Sequence, residues 1–264
     1  MSDESRGFSE VTRLADAVAT IQEATTPIDR TDRLPLSAAE DRVLAAPVTA
    51  RRNVPHYERA AMDGYAVHAS ETFDASERSP VVMERQNVDS GPVEPSQAQW
   101  VHTGSPIPEG ADAVVKVERT RERDDRVEIE TAVAEGANVG PVGEDVSKGQ
   151  QLFEAGHQLR PSDLGLCKVA GVGKVAVSQR PTVGVVPTGD ELVQHDPEPG
   201  EIVETNGFTV SRYVERWGGA ATDRNIVADQ RSALRSAIQR DLTKDIVVTT
   251  GGSSVGERDL LPEV

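Results

Sequence analysis

A β-branched stretch, Ile246–Thr250 (IVVTT), leads directly into a glycine-rich segment at residues 251–259, GGSSVGERD. A strand followed by such a turn is typical of an anion site, because backbone N–H groups can converge on phosphate oxygens without obstruction by Cβ atoms. Ser253 and Ser254 add hydroxyl donors, and Asp259 offers a carboxylate for a counter-cation. The stretch predicts a parallel α/β sheet with a phosphate site at its edge. Because a helix and further strands normally follow such a loop, we expect the chain to be part of a longer architecture.

Upstream of this stretch, from Pro181 onward, extended and helical patterns alternate. Extended segments are predicted at 182–186, 225–227 and 245–250, and helices at 206–217 and 230–242. This order predicts a βαβαβ half of a parallel sheet. In the first of these helices Phe208, Tyr213, Val214 and Trp217 lie mainly on one side, which favours a place in the core over ligand stacking.

The region before Pro181 does not show this alternation of strands and helices. The N-terminal segment predicts an amphipathic helix, with Ser9 as its cap, and Ser37 with Glu40 predicts a second, short helix that reaches Leu44. Between about residues 48 and 146, short β-rich runs at 65–67, 81–83, 113–117 and 127–129 alternate with Pro, Gly and acidic turns, which is typical of a small β-domain. We therefore predict four parts: an N-terminal helix (1–27), a discontinuous linker or β-domain (28–47 plus 147–180), an inserted β-rich domain (48–146) and a partial α/β domain (181–264).

The charge balance excludes some partners. There are 44 acidic and 28 basic residues, a net charge of −16, which disfavours binding to nucleic acid or to an anionic membrane surface. Lys supplies only 5 of the basic residues, and only 3% of residues are aromatic. Our hypothesis is an acidic, halophile-like surface adapted to high salt; the alternative is an ordinary acidic cytosolic protein.

The cysteine count and the hydropathy indicate a reducing compartment. Cys167 is the single cysteine, which excludes an internal disulfide and a multi-cysteine metal site. No apolar run approaches the roughly 18 residues that a membrane span needs. We therefore expect a cytoplasmic protein that does not contact membranes.

Acidic residues follow each predicted strand of the parallel sheet. Strand one ends in residues 187–191 (PTGDE), strand two ends near Asp229, and strand three leads to Asp259. Because ligands collect at the carboxyl ends of parallel strands, these carboxylates could share one Mg²⁺ that bridges substrate phosphates. Taken singly, Asp190 could close a turn, and Asp229 and Asp259 could each cap or begin a helix. Their joint placement favours the metal site.

Six segments together resemble the molybdopterin molybdenumtransferase family, the MoeA type. They occur in the family's order and cover nearly the whole chain. They are AMDGYA at 61–66, TGSPIPEGADAV at 103–114, GEDV at 143–146, PTGDEL at 187–192, TN at 205–206 and the glycine-rich segment at 251–259. The resemblance implies an α/β multidomain fold, with elongated β-rich N-terminal domains and a partial parallel-sheet molybdopterin-binding domain.

The resemblance also implies a reaction, in which adenylated molybdopterin and molybdate are the substrates and AMP is released. Mg²⁺ is the implied cofactor, and molybdopterin adenylyltransferase is the implied functional partner. The implied metal ligands are Glu191, Asp229 and Asp259, and the implied cofactor-binding residues are Gly251, Gly252, Ser253, Ser254 and Gly256.

Two further residues are implied to take part in catalysis. Asp63 and Thr103, which would otherwise be interpreted as turn residues, reach the site of a second subunit in the family, so a homodimer is implied. His102 and Cys167 are interpreted as structural.

The chain also departs from the family's pattern. Residues 140–142 read GPV where the family often has an arginine before Gly-Glu-Asp, so one anion contact is predicted to be absent or supplied elsewhere. The remainder of the family's cofactor domain and its C-terminal β-domain are not in this sequence. Two alternative functions therefore stay open: a molybdopterin adenylyltransferase-like enzyme, and a non-catalytic molybdopterin-binding or scaffold module.

Overall fold

A computed structural model describes residues 12–87 and 91–251. The helices are α1 Leu14–Ala24, α2 Pro161–Val169, α3 Asn206–Arg216 and α4 Arg231–Asp241. The strands are β1 Thr31–Pro35, β2 Val48–Thr49, β3 Arg59–Ala60, β4 Gly64–Val67, β5 Val81–Gln86, β6 Gln97–Val101, β7 Ala113–Lys116, β8 Thr120–Arg123, β9 Arg126–Ile129, β10 Val139–Gly140, β11 Gln151–Phe153, β12 Lys174–Ser178, β13 Thr182–Pro187, β14 Leu192–Val193, β15 Ile202–Val203, β16 Ala220–Asp223 and β17 Ile246–Thr250. The β-rich runs predicted in the N-terminal half thus form strands β4, β5, β7 and β9.

The described residues form two compact units. The six-stranded unit comprises residues 35–40 and 46–175, and the parallel-sheet unit comprises the described parts of residues 1–34, 41–45 and 176–264. None of the described helices is long and apolar enough to cross a membrane. The four-part division drawn from the sequence stays a prediction.

The six-stranded unit is built on a mixed sheet with the order β7-β4-β6-β5-β9-β8. All neighbours are antiparallel except β5 and β6, which run parallel. Side chains alternate across the sheet, as the two-residue period of a strand requires. Tyr65 and Val67 of β4 pack in a core with Met83 and Ile129, whereas Ala66 faces a second, smaller cluster.

The parallel-sheet unit confirms the predicted βαβαβ order. Strand β13 lies in the centre, with β16 and β17 parallel on either side. Helix α3 precedes β16 and helix α4 precedes β17. The position of the middle strand was wrong, since it spans Ala220–Asp223 rather than 225–227. Gly218, at φ +89°, ends α3 and the chain enters the sheet at once, so that only Val227 of the predicted segment makes a bridge, to Thr188.

The predicted burial of the α3 aromatics was also wrong. Phe208 is 61% exposed and Trp217 is 77% exposed, and Tyr213 is also exposed. The buried positions of the helix are Gly207 and Ser211. Small residues on the sheet side let the helix axis approach β13 and β16 closely, and this leaves the bulky rings on the other side.

The two predicted N-terminal helices differ in outcome. Helix α1 is present at Leu14–Ala24, although its predicted cap Ser9 lies outside the described residues. The short helix predicted to reach Leu44 was wrong, because the chain forms only a 3₁₀ turn at Leu36–Ala38. Asp41 has a φ of +58°, which no α-helix accommodates, and Leu44 then bridges to Val177 as extended chain.

Candidate functional site

The ends of the parallel strands bring two of the sequence motifs together. After β13, the Thr188 N–H donates to the Thr250 carbonyl at the end of β17 (3.2 Å), and the Gly189 N–H donates to the Val227 carbonyl (3.1 Å). The Val227 N–H donates in turn to the Pro187 carbonyl (2.9 Å). The PTGDEL segment is therefore held between the start of the glycine-rich segment and the chain that follows β16.

Gly251 is the position where these segments meet most closely. Its φ is +141°, and a Cβ at this position would lie 2.2 Å from the Thr188 carbonyl oxygen and 2.6 Å from Thr188 Oγ1. Only glycine fits there. The other predicted cofactor-binding residues, Gly252, Ser253, Ser254 and Gly256, lie outside the described residues.

Two hydroxyls are buried at the same strand ends. Within the described part of the chain, Thr188 Oγ1 and Thr250 Oγ1 have no hydrogen-bond partner, and Thr188 is 2% exposed. A buried hydroxyl normally has a partner, so these two groups mark the strand ends as a place where a polar ligand would gain hydrogen bonds. Neither residue was singled out from the sequence for this role.

Two of the three predicted metal ligands, Glu191 and Asp229, lie at this edge of the sheet. Asp190 Oδ1 accepts a hydrogen bond from the Asp229 backbone N–H (3.0 Å), which ties Asp229 to the loop after β13 although it lies six residues beyond β16. The Glu191 carboxylate folds back over Gly189, since a Cβ on that glycine would lie 2.8 Å from Glu191 Oε1. Asp259 lies outside the described residues. The predicted convergence of three carboxylates thus stays a prediction.

Asp63 and Thr103 are directly bonded to each other in the six-stranded unit. Asp63 Oδ1 accepts from the Thr103 backbone N–H (2.6 Å) and from Thr103 Oγ1 (2.9 Å). These bonds hold the pKa of the Asp63 carboxyl below its ordinary value. His102 lies beside the pair and makes a 3.3 Å hydrogen bond with the Trp100 indole N–H. Both residues were predicted from the sequence to take part in catalysis, but their 40-residue separation gave no signal that they contact each other.

A guanidinium lies next to the Gly-Glu-Asp segment, which has no arginine directly before it. Gly140 pairs with Arg59 between β10 and β3, and a Cβ on Gly140 would lie 3.3 Å from Arg59 Nε. Arg59 also makes ion pairs with Glu144 (3.1 Å) and Asp145 (3.6 Å) of the GEDV segment. The positive charge next to Gly-Glu-Asp thus comes from β3 rather than from the residues just before the motif.

A cavity of about 100 Å³ lies beside the ends of β13 and β16 in the parallel-sheet unit. Its polar lining comes from Gln194, Glu204, Asp223 and Arg224. None of these four residues was predicted from the sequence to line a binding site. The nearest signal was the TN segment at 205–206, which directly follows Glu204, whereas Asp223 and Arg224 were obscured because strand β16 was placed too late.

Comparison with known proteins identifies the family. A family model described as "MoeA N-terminal region (domain I and II)" matches residues 12–171, more than half of the 264 residues. The chain belongs to the MoeA family. A second model, described as "Probable molybdopterin binding domain", matches residues 184–264 of this MoeA chain.

Individual relatives support the assignment of this MoeA chain. It is 33% identical over 243 residues to a protein named molybdopterin molybdenumtransferase from Nostoc sp., covering 89% of this chain and 56% of that protein. It is 34% identical over 247 residues to the protein of that name from Bacillus subtilis, covering 89% and 57%. The crystal structure of the molybdopterin biosynthesis moeA protein from Pyrococcus horikoshii matches with a TM-score of 0.82 at 33% identity, covering 92% of this chain and 67% of that chain.

These matches confirm the resemblance and the α/β fold class predicted from the sequence. The MoeA chain spans less than two thirds of the length of the curated relatives named here.

Proposed function

We propose that this chain carries out the reaction for which its relatives are named. In this reaction it takes adenylated molybdopterin and molybdate, releases AMP, and leaves the metal on the dithiolene of the pterin. The observation that carries the proposal is the packing of Gly251 against Thr188, since it brings the first residue of the glycine-rich segment and the PTGDEL segment to one edge of a parallel sheet. Phosphate-containing ligands bind at this edge in such folds.

The chemistry needs no covalent nucleophile from the protein. Cleaving a phosphoanhydride depends mainly on positioning and on neutralising charge. Cys167 is fully buried, and burial raises the pKa of its thiol, so it is not the nucleophile of this reaction. We assign catalytic roles to Asp63, Thr103, Glu191, Asp229 and Asp259, and phosphate contacts to Gly251, Gly252, Ser253, Ser254 and Gly256.

The proposed function includes a Mg²⁺ ion that three carboxylates would hold together. Carboxylate oxygens suit Mg²⁺, which supplies charge neutralisation at phosphates when it is bound. Within residues 12–87 and 91–251 no group of three His, Cys, Asp or Glu side chains could hold a metal. Asp259 would therefore have to complete a set begun by Glu191 and Asp229, and we derive no step through the ion.

The proposal also includes a homodimer, a partner enzyme and an adaptation to high salt. A homodimer would let Asp63 and Thr103 of one subunit serve the strand-end site of the other, and a molybdopterin adenylyltransferase would supply the adenylated substrate. The match of residues 12–171 to the MoeA N-terminal model favours this function over that of the adenylyltransferase itself. We also propose that the surface with its net charge of −16 is adapted to high salt.

The test is titration of the full chain with adenylated molybdopterin, followed by molybdate, with AMP measured by chromatography. We expect binding, and AMP release only after molybdate is added. Glu191→Gln should slow AMP release at least about tenfold, and Glu198→Gln, which changes an exposed carboxylate on the loop before β15, should not. Binding without AMP release would support the scaffold alternative, and transfer of AMP from ATP would support the adenylyltransferase alternative.

The shared site has its own test. Asp63→Ala and Glu191→Ala are each expected to abolish AMP release. If the two residues serve one site from different subunits, mixing the two inactive variants restores part of the activity, because mixed dimers contain one intact site. Two variants that stay inactive after subunit exchange would contradict a shared site.

A further inference from the structure

The cavity beside α3 has a mixed set of donors and acceptors. It lies where the carboxyl ends of β13 and β16 meet the amino end of α3. A cavity needs roughly 10–15 Å³ to hold one water molecule. This cavity, at about 100 Å³, therefore accommodates a much larger group. Position, size and chemistry together suit a small ring system.

Glu204 provides a fixed carboxylate at the cavity. Its Oε1 accepts the Gly207 N–H at 2.6 Å, and the residue is half-buried just ahead of α3. A carboxylate accepts about four hydrogen bonds through its two oxygens. The bond from Gly207 therefore holds the Glu204 carboxylate in place and leaves it able to accept further hydrogen bonds from a ligand.

Donors come from the side of β16. Arg224 donates from Nε to Asp241 Oδ2 (2.9 Å) and from a terminal nitrogen to Asp241 Oδ1. Because Asp241 is fully buried, this pair fixes the guanidinium at the cavity wall. A guanidinium has five N–H donors, of which these contacts use two. Gln194 adds an amide to the lining.

Asp223 and the apolar wall complete the cavity. Asp223 Oδ1 accepts from Ser211 Oγ, and its Oδ2 lies 3.5 Å from an Arg212 nitrogen. Val185 and Pro187 of the central strand form an apolar wall with the exposed ring of Phe208. A flat, polar-edged ring would pack against such a wall and reach the polar groups with its edge.

We infer that this cavity recognises the amino-oxo edge of a pterin, with Glu204 accepting the paired N–H donors and the Arg224 side supplying donors for the oxo group. The inference rests on the proposed function, and it assigns the ring of the substrate to residues separate from those assigned to its phosphate. A pterin presents an amino group next to a ring N–H, so one carboxylate can accept both. Adenine presents an amino group next to a ring acceptor, which repels a second carboxylate oxygen.

The test uses free pterin and adenosine as separate probes in calorimetric titrations of the full chain at neutral pH. We expect pterin to bind with a Kd of about 1 mM or tighter, as its size allows, and adenosine to bind at least about tenfold more weakly. Glu204→Gln keeps an oxygen for the Gly207 N–H but exchanges an acceptor for a donor. It should weaken pterin binding at least about tenfold.

Glu201→Gln is the matched control. Glu201 Oε2 likewise accepts a backbone N–H three residues away, from Glu198 at 3.0 Å, but it does not line the cavity. Equal pterin affinity in wild type and Glu204→Gln, or adenosine binding as tightly as pterin, would overturn the inference. If pterin fails to bind but the wild-type chain still releases AMP in the molybdate assay, the proposed function stands and only this inference is lost. Pterin binding to a chain that releases no AMP in that assay would keep this inference and remove the function.

Discussion

Gly184, in the middle of β13, shows how one residue determines the packing of the parallel-sheet unit. A Cβ at this position would lie 2.7 Å from Asp241 Oδ2. That carboxylate is fully buried and is paired with Arg224. The absence of a side chain on the central strand therefore makes room for a buried ion pair between the end of α4 and the residue after β16.

Gly184→Ala is expected to lower the free energy of unfolding by about 1–3 kcal/mol, because the added methyl displaces the buried carboxylate from its partner. Chemical denaturation measures the change. Gly173→Ala is the control, since a Cβ there meets nothing within 4 Å, and its effect should stay within about 0.5 kcal/mol. Equal losses in the two variants would contradict the steric argument.

Tyr65 gives a second prediction at this scale. Its ring is 1% exposed and its hydroxyl donates to Glu122 at 2.6 Å. Burial and this bond raise the pKa of Tyr65 to about 12. The associated stabilisation is therefore present below the ordinary tyrosine pKa of about 10 and is lost as the pH rises toward 12.

In a pH-jump experiment read at ultraviolet wavelengths before the chain unfolds, Tyr65→Phe should remove a component that ionises near pH 12. Tyr213→Phe, at an exposed position, should leave that component in place. A wild-type protein without such a component would contradict the role of burial.

At the scale of one element, the start of α2 depends on a single carboxylate. Asp163 accepts from the Arg160 backbone N–H (3.0 Å) and from its guanidinium (3.1 Å to each oxygen), and His157 Nε2 lies 2.8 Å away. The Arg160 side chain is the main cause that holds the pKa of Asp163 well below its usual range. This one side chain thus satisfies a helix-terminal N–H group and neutralises a cation.

Asp163→Asn is expected to cost about 1–2 kcal/mol of stability at pH 7, because the charged acceptor is lost. Since the folded pKa is depressed, the stabilisation is complete above the unfolded value of about 3.8 and declines below it. Denaturation of wild type and variant between pH 7 and pH 3 should show a difference that is constant above about pH 5 and shrinks at lower pH. Asp74→Asn, an exposed carboxylate, should change neither the stability nor its pH dependence.

At the scale of the whole molecule, the net charge of −16 governs the response to salt. Repulsion among the excess carboxylates opposes the compact state, and the screening length falls from about 10 Å at 0.1 M to about 3 Å at 1 M salt. Tm should therefore rise steeply with KCl up to molar concentrations. A flat Tm across this range in thermal scans would contradict adaptation to salt, and sucrose provides a reference for stabilisation without screening.

Several features were predictable because they depend on neighbours along the chain. Short β-rich runs bounded by turn residues located β4, β5, β7 and β9, and the alternation of extended and helical patterns from Pro181 indicated the βαβαβ order, because both signals are local. Boundaries were less accurate. Strand β16 lies earlier in the sequence than predicted, because α3 ends at the turn at Gly218. The helix predicted to reach Leu44 is interrupted by the positive φ of Asp41.

By itself, the sequence determined the order of the elements, the membership in the MoeA family and the acidic character of the surface. Only the tertiary structure decided that Asp63 bonds to Thr103, that the α3 aromatics are exposed, and that Glu204 and Arg224 line one cavity. The physical reason is that local conformation follows from adjacent residues, whereas contacts between distant side chains depend on how closely elements pack. In the parallel-sheet unit, Gly184 leaves room for the Asp241 carboxylate and Gly207 is buried at the start of α3, and no periodicity reports what occupies the space that they leave.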